Sequence, residues 1–329
     1  MDLGTGVLAV IVVVGVPAIT VLYALATEWV LRLFPESSRA KIRPWLWLLP
    51  GFAFLGIFLI YPTVNTVILS FMDRQSENFV GLENYIGLIG HMTDTGWEFN
   101  KDFWQTIVNT VLWLLFYTTI TVVIGLLIAV MTDRVRYETA VKAMIFIPMA
   151  ISFVAAGVIW RFMYAVNPDI GTLNAVVTAF GGEPEAWLFD WPRNTFMLII
   201  VGIWMWVGFS LVILSAGLKG ISTELLEAAR MDGANEFQVF GRIILPLLAP
   251  TIAVVGTTIV IVALKTFDIV WVMTGGQFGT EVIGTLFYTE RFTNRDVGTA
   301  SAVAVILLLA IIPVMLVNIR RFRAQEAVR

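Results

Sequence analysis

Glu227-Ala-Ala-Arg-Met-Asp-Gly233, running on through Ile243-Ile-Leu-Pro246, is a charged island between long apolar runs. Ser222 and Thr223 can cap a helix start, Glu224 suits its first turn, and Ala228 and Ala229 favour helix. Gly233 can turn the chain by taking a left-handed backbone. Asn235 can cap a second short helix, which Pro246 is expected to end or redirect. The local reading is helix, tight turn, helix, outside a bilayer but tied to it at both ends. From Glu224 to Arg242 the charges are Glu224, Glu227, Asp232 and Glu236 against Arg230 and Arg242, a balance of minus two. A helix-turn-helix that grips DNA needs a basic excess, so nucleic acid is excluded as a partner. A solvated connector and a docking element for a protein both stay open.

The rest of the chain places this island at a membrane. Of 329 residues, 58% are hydrophobic and only 14% charged, with a mean hydropathy of +0.86. A water-soluble chain of this length rarely carries so little charge. Seven long segments contain no Asp, Glu, Lys or Arg: Leu3–Thr27, Pro44–Met72, Phe103–Thr132, Ala143–Trp160, Asn194–Leu218, Ile243–Leu264 and Val297–Ile319. Each meets the requirement of about 18 to 20 apolar residues for crossing the hydrocarbon. The first follows Asp2 instead of a basic region and is longer than a signal-peptide core, so it reads as a membrane helix. The expectation is an all-α polytopic protein with seven transmembrane helices.

Lysine and arginine set the orientation. With the N-terminus outside, the inside segments hold fourteen of the 21 and the outside segments five, while Arg161 and Lys265 lie at or within spans. That bias puts the Glu227 island and the C-terminus in the cytoplasm. Arg320, Arg321 and Arg323 then form an interfacial anchor in membrane lipid.

Enzymatic chemistry lacks material. There is no cysteine and a single histidine, His91, so neither a metal cluster nor a nucleophilic triad can be assembled. The five lysines follow Ala40, Asn100, Val141, Leu218 and Leu264, so no Gly-Lys pair exists and no Walker A phosphate loop is possible. This chain hydrolyses no ATP by that route.

The spacing of Glu227, Ala228, Ala229, Gly233, Ile243, Leu245 and Pro246 resembles the coupling loop of integral membrane subunits of bacterial ATP-binding cassette importers. The resemblance implies a type I importer permease fold with cytoplasmic coupling helices, in a bacterial inner membrane. It implies that residues 219–249, Asp232 included, fit a cleft of an ATPase subunit and pass on its movement. It further implies a second homologous permease, two copies of the ATPase with ATP and Mg2+ bound there, and an external solute-binding protein. No cofactor is expected in this chain. Residues 45–329 match this family core, leaving 1–44 as an extra helix and linker.

Further stretches resemble the sugar-importing branch. Phe79-Val-Gly-Leu-Glu-Asn-Tyr85, Phe103, Asn109-Thr110, Trp160, Gly171, Asn174 and Thr274-Gly275-Gly276 fall on its pattern, and Gly279-Thr280-Glu281 is closest to the α-glucoside subgroup. Relatives often continue Gly-Pro after Gly276 and carry Pro where Ser222 stands; here Gln277-Phe278 and Ser222 depart. A short interfacial helix is expected at Leu173–Phe180. Trp204, Trp206 and Phe209 either face lipid or form a stacking surface for a sugar ring. Lys265 and Asp268, at i and i+3, either pair with each other or meet solute hydroxyls. Two other readings are an ion-coupled secondary transporter and an importer of a non-sugar solute such as a glycerophosphate. The first usually shows two related halves, and no repeat is visible here.

Overall fold

The computed structural model describes residues 3–94, 96–133 and 135–326; the side chains of residues 3–12, 16, 318, 319 and 321–326 are outside that description. Arg134 and Arg329 therefore lie outside the described residues, as do the side chains of Arg321 and Arg323.

Thirteen helices form the frame among the described residues, with one two-stranded hairpin. In chain order they are α1 (Leu3–Arg32), α2 (Glu36–Leu69), α3 (Glu83–Ile89), strands β1 (Gly90–Thr93) and β2 (Gly96–Phe99), α4 (Lys101–Thr132), α5 (Glu138–Phe146), α6 (Phe153–Met163), α7 (Thr172–Ala179) and α8 (Arg193–Lys219). Then follow α9 (Thr223–Met231), α10 (Glu236–Leu264), α11 (Asp268–Thr274), α12 (Ile283–Tyr288) and α13 (Val297–Glu326). Short wide turns interrupt α2 at Gly56–Ile60, α4 at Trp113–Tyr117 and α10 at Phe240–Ile244. The short helix expected at Leu173–Phe180 is α7.

Among the described residues six helices are long and apolar enough to cross a membrane: α1, α2, α4, α8, α10 and α13. The expected fourth span is not one straight helix. α5 and α6 meet at 99°, joined by a tight turn at Ile147–Ala150. Pro148 brings no N–H to continue α5, Ile151 and Ser152 are extended, and Ser152 Oγ accepts the Ala155 N–H at 3.1 Å to start α6. An uncharged run of that length does not reveal such a break.

Packing divides the chain into residues 1–66 and 67–329, a boundary that falls within α2. In the first unit Arg43 grips Glu28 with contacts of 2.7 and 2.8 Å, and Tyr23 donates its hydroxyl proton to the Leu46 carbonyl.

The second unit is built round α8, whose Leu198, Ile199, Val201, Leu211 and Leu214 are all at most 1% exposed. It lies tightly against α4 and α5 because small residues mark the crossings. A Cβ at Gly125 of α4 would stand 2.4 Å from Ser210 Oγ, and one at Gly208 would stand 2.6 Å from the Ile145 carbonyl oxygen. The frame thus holds the broken α5–α6 element against the central helix.

Candidate functional site: a docking segment and a central cavity

α9 starts at Ser222, but Ser222 makes no side-chain cap bond; it only occupies the N-cap position. The helix ends as expected. Asp232 is its C-cap, and Gly233 follows at φ +85°. The Gly233 N–H donates to Arg230 O (3.0 Å) and the Ala234 N–H to Ala229 O (3.1 Å). This is the paired 5→2 and 6→1 arrangement that satisfies a helix's last carbonyls. Asn235 then opens α10 with a reciprocal cap: its Oδ1 accepts the Gln238 N–H and its own N–H donates to Gln238 Oε1, each at 2.9 Å. Arg230 closes the turn on Glu236 through Nε–Oε1 (2.7 Å) and Nη2–Oε2 (3.1 Å), and that carboxylate holds the guanidinium pKa above its ordinary value.

Pro246 neither ends nor redirects the second helix. The wide turn at Phe240–Ile244 precedes it, with the Leu245 N–H reaching Phe240 O, so the chain enters Pro246 without a distorted ladder. Ile243 sits inside that turn and Leu245 and Pro246 open the straight part of α10. One continuous element of 29 residues, Glu236–Leu264, long and apolar enough to cross a membrane, therefore starts at the end of the Gly233 turn. Glu227 is exposed on α9, while Met231 and Phe237 are 88% and 89% exposed on either side of the Gly233 turn. Exposed apolar side chains beside an exposed carboxylate, whose charge acts on Arg230, form a surface suited to a protein partner.

A cavity of about 280 Å3 lies deeper, where the wide turn of α4 meets the middle of α8 and the end of α10. Trp113, Tyr117, Phe153, Trp206 and Phe267 supply aromatic wall, Gly202 leaves room, and Lys265, Thr266 and Asp268 supply polar atoms. Of the residues expected along a solute path, the cavity brings together Trp206, Lys265 and Asp268. Trp204 is outside its lining, edge-on to Trp160 at 5.6 Å, and Phe209 packs on Trp206 at 5.3 Å. The ion pair considered for Lys265 and Asp268 does not form among the described residues. α10 stops at Leu264, Phe267 is at φ −145°, and Asp268 belongs to the first turn of the next helix. The i, i+3 spacing has no helix to act on.

At the mouth beyond α11 the chain makes a run of left-handed residues, Gly275, Gly276, Phe278 and Gly279. The buried side chain of Asn109 on α4 pins it, donating to Gly279 O (2.6 Å) and Glu281 O (2.8 Å) while accepting from Trp191 Nε1 (3.0 Å). Asn194 of α8 donates to Phe278 O at 2.8 Å. Asn174 does the same for the neighbouring loop, donating to Ala165 O and Glu185 O, each at 2.9 Å. Sequence reasoning noted Asn109 and Asn174 only as motif letters. Asn109 holds loop backbone through partners 82 to 172 residues away, whereas the partners of Asn174 lie 9 and 11 residues away.

Burial pushes the Glu281 carboxyl up to about 7, with the negative charges of Glu290 and Asp102 adding to the shift. Because the folded protein then holds this proton up to about pH 7, its contribution favours folding most below the ordinary carboxyl value of 4.5 and is lost as pH rises toward 7. Glu281→Gln should therefore raise the Tm relative to the parent at pH 8 by about 1–3 °C and leave it close to the parent at pH 5. Thermal scans of the detergent-solubilised protein at both pH values check this; an equal offset at both would contradict it.

Residues 121–323 match the family described as binding-protein-dependent transport system inner membrane component. Over 289 residues the chain is 50% identical to an osmoprotective compounds uptake permease protein of Synechocystis sp., covering 86% of this chain and all of the relative. It is 45% identical to an alpha-glucoside transport system permease protein of Rhizobium meliloti, across 85% of this chain and 82% of the relative. Its fold superposes on a chain of a bacterial ABC transporter that imports alginate, with a TM-score of 0.74 at 22% identity over 88% of this chain and 98% of that one. The helix–turn–helix segment, the broken span and the cavity are thus parts of a permease, and this chain belongs to the inner membrane components of binding-protein-dependent transport systems.

Proposed function

We propose that the chain forms half of the translocation path of an ATP-driven sugar importer, carrying an α-glucoside or related oligosaccharide. The observation that supports this most is the 45% identity to an alpha-glucoside permease protein across 85% of the chain. The central cavity agrees with it: aromatic planes suit the C–H faces of a sugar ring, and separated Lys265 and Asp268 suit its hydroxyls better than a mutually neutralised pair would. A second reading, a small neutral osmoprotective solute, is favoured by the name of the 50% identical relative. A glycerophosphate would meet Lys265 as the one cation of the cavity lining, beside the unfavourable Asp268.

In this proposal a second homologous permease completes the path, two ATPase copies bind ATP and Mg2+, and an external binding protein delivers the solute. The docking segment, with Glu227 and Gly233 at its centre, faces the cytoplasm, the N-terminus faces outward, and the C-terminus faces inward. The excess of lysine and arginine on one side supports that orientation. Residues 45–329 act as the transporter domain and 1–44 as an extra helix and linker, in keeping with a relative whose full length matches 86% of this chain.

Reconstituted with its partners, the complex should take up labelled α-glucoside only with ATP and binding protein. Trp206→Ala should cut uptake about tenfold while binding-protein-stimulated hydrolysis stays within about twofold, as expected for a lost stacking face worth ~1.4 kcal/mol. Uptake competed by glycerophosphate and not by α-glucosides, or uptake without the ATPase, would overturn the proposal.

A further inference from the structure

Lys219 is the last residue of α8, immediately before the chain turns into the docking segment. Its Nζ lies 2.8 Å from Glu138 Oε1 and 2.9 Å from Oε2. Glu138, 81 residues earlier, opens the broken element, and it also receives Lys142, which in turn donates to Ser215 Oγ on α8. The side chains of Glu138 and Lys142 are each only 17% exposed. This is a three-membered charge cluster with two cations on one carboxylate; Glu138 and Lys142 are shielded, whereas Lys219 is 54% exposed and its pairing is the more open to screening by salt.

The element that begins at this cluster reaches the rest of the transport machinery. The backbone of Ile145 and Phe146 lies on Gly208 of α8 with no space for a Cβ. Phe153, just past the 99° bend, is part of the cavity wall. Beyond it, Gly157 of α6 packs against Val272 and Met273 of α11, the helix whose first residue, Asp268, lines the same cavity. One bent piece of chain thus touches the entry to the proposed docking segment at one end and the wall of the cavity at the other.

We propose that Glu138 is a positioning residue for transport: clamped between Lys142 and Lys219, it makes the broken span follow the docking segment. A displacement of the segment by the ATPase then arrives at Phe153 and α11. This rests on the reading of residues 219–249 as the ATPase-docking segment. The physical warrant is a continuous chain of packed backbone and paired charge, which a coupling claim requires to be tested directly.

The test uses the complete complex in lipid vesicles, with uptake and ATP hydrolysis measured in the same preparation. Glu138→Lys and Lys219→Glu should each lower solute carried per ATP about fivefold or more, with binding-protein-stimulated hydrolysis within about twofold of the parent. The double swap, which again sets a carboxylate among two cations, should restore at least half of the lost ratio. A merely structural role would lower uptake and hydrolysis together, or leave the swap as poor as the single variants, and either result overturns the proposal. An unchanged ratio in the single variants also overturns it. Glu227→Ala run alongside separates the two readings: loss of stimulation there with normal Glu138 variants sinks only the clamp, whereas normal behaviour in all of them sinks the docking reading.

Discussion

Gly233→Val is expected to reduce uptake below about a tenth of the parent while the permease still inserts and assembles. The reason is conformational. At φ +85° the residue sits where L side chains cost about 1–2 kcal/mol, and a β-branched one costs more. No atom lies within 4 Å of a Cβ built there, so crowding plays no part. A penalty of ~2 kcal/mol shifts the population of the native turn by a factor of about 30. The turn carries the bonds from Gly233 to Arg230 and from Ala234 to Ala229, and so fixes how α9 and the start of α10 present Glu227, Met231 and Phe237. Asn tolerates the left-handed region, so Gly233→Asn should keep more than half of the uptake. Comparing the two variants in whole-cell uptake, with membrane levels checked by immunoblot, isolates backbone geometry. Equal activity of Val and Asn would show that the turn's geometry is not what the partner reads.

Asn109→Leu should be the most destabilising single change at the mouth. Asn109 is 0% exposed and serves two carbonyls of the left-handed loop and the Trp191 indole N–H, with a weaker contact from Thr195 Oγ1 at 3.4 Å. Leucine has similar bulk but leaves those groups without partners in a buried place, at ~1–3 kcal/mol each. With partial relaxation the total is about 3–5 kcal/mol, which should lower the Tm by roughly 5–10 °C. Thr195→Val removes this long contact and a second one to Asn194 Oδ1 at 3.5 Å, and should cost less than about 1 kcal/mol. The effect should also be local: the loop at Gly275–Val282 should exchange its amides faster while α9 is unaffected. Asn109→Leu with a parental Tm would mean that left-handed glycines alone hold this loop.

What could be read in the sequence was what depends on near neighbours. Gly233 and Asn235 behave as their chemistry dictates because helix ends are satisfied by residues within five positions, whereas Ser222 takes the N-cap place of α9 without the expected side-chain bond. The long apolar runs appear as spans because the criterion is composition over a window. The failures share one cause. Pro246 was expected to stop a helix, but a wide turn just before it absorbs the missing hydrogen bond, and such turns have no simple pattern. The fourth apolar run looked straight because Pro148 and Ser152 bend it without any charge to mark the break. Lys265 and Asp268 were placed on one helix that ends at Leu264. The β1–β2 hairpin at Gly90–Phe99 is locally too polar and short to stand out. The Asn109 clamp was invisible as geometry because its partners lie 82 to 172 residues away. For the cavity, Trp206, Lys265 and Asp268 were singled out for their residue type. Trp113, Tyr117 and Phe153 were missed because an aromatic residue in a membrane helix is unremarkable until the fold shows what it faces.

These observations assemble into one account: a partner pushes on an exposed turn held by Gly233 and Arg230–Glu236, α10 carries the push into the membrane, and the cavity walls respond. The most direct test is ATP hydrolysis by the complete complex in lipid, with and without loaded binding protein, comparing the parent with Glu227→Ala. Glu227 is exposed, so its removal should leave the fold intact, taking away its charge interaction with Arg230 and the proposed contact with the partner. The account predicts that hydrolysis loses at least about four-fifths of its stimulation by the loaded binding protein while the membrane subunits stay assembled. Parental stimulation together with parental uptake would contradict it, and the segment would then be a solvated connector.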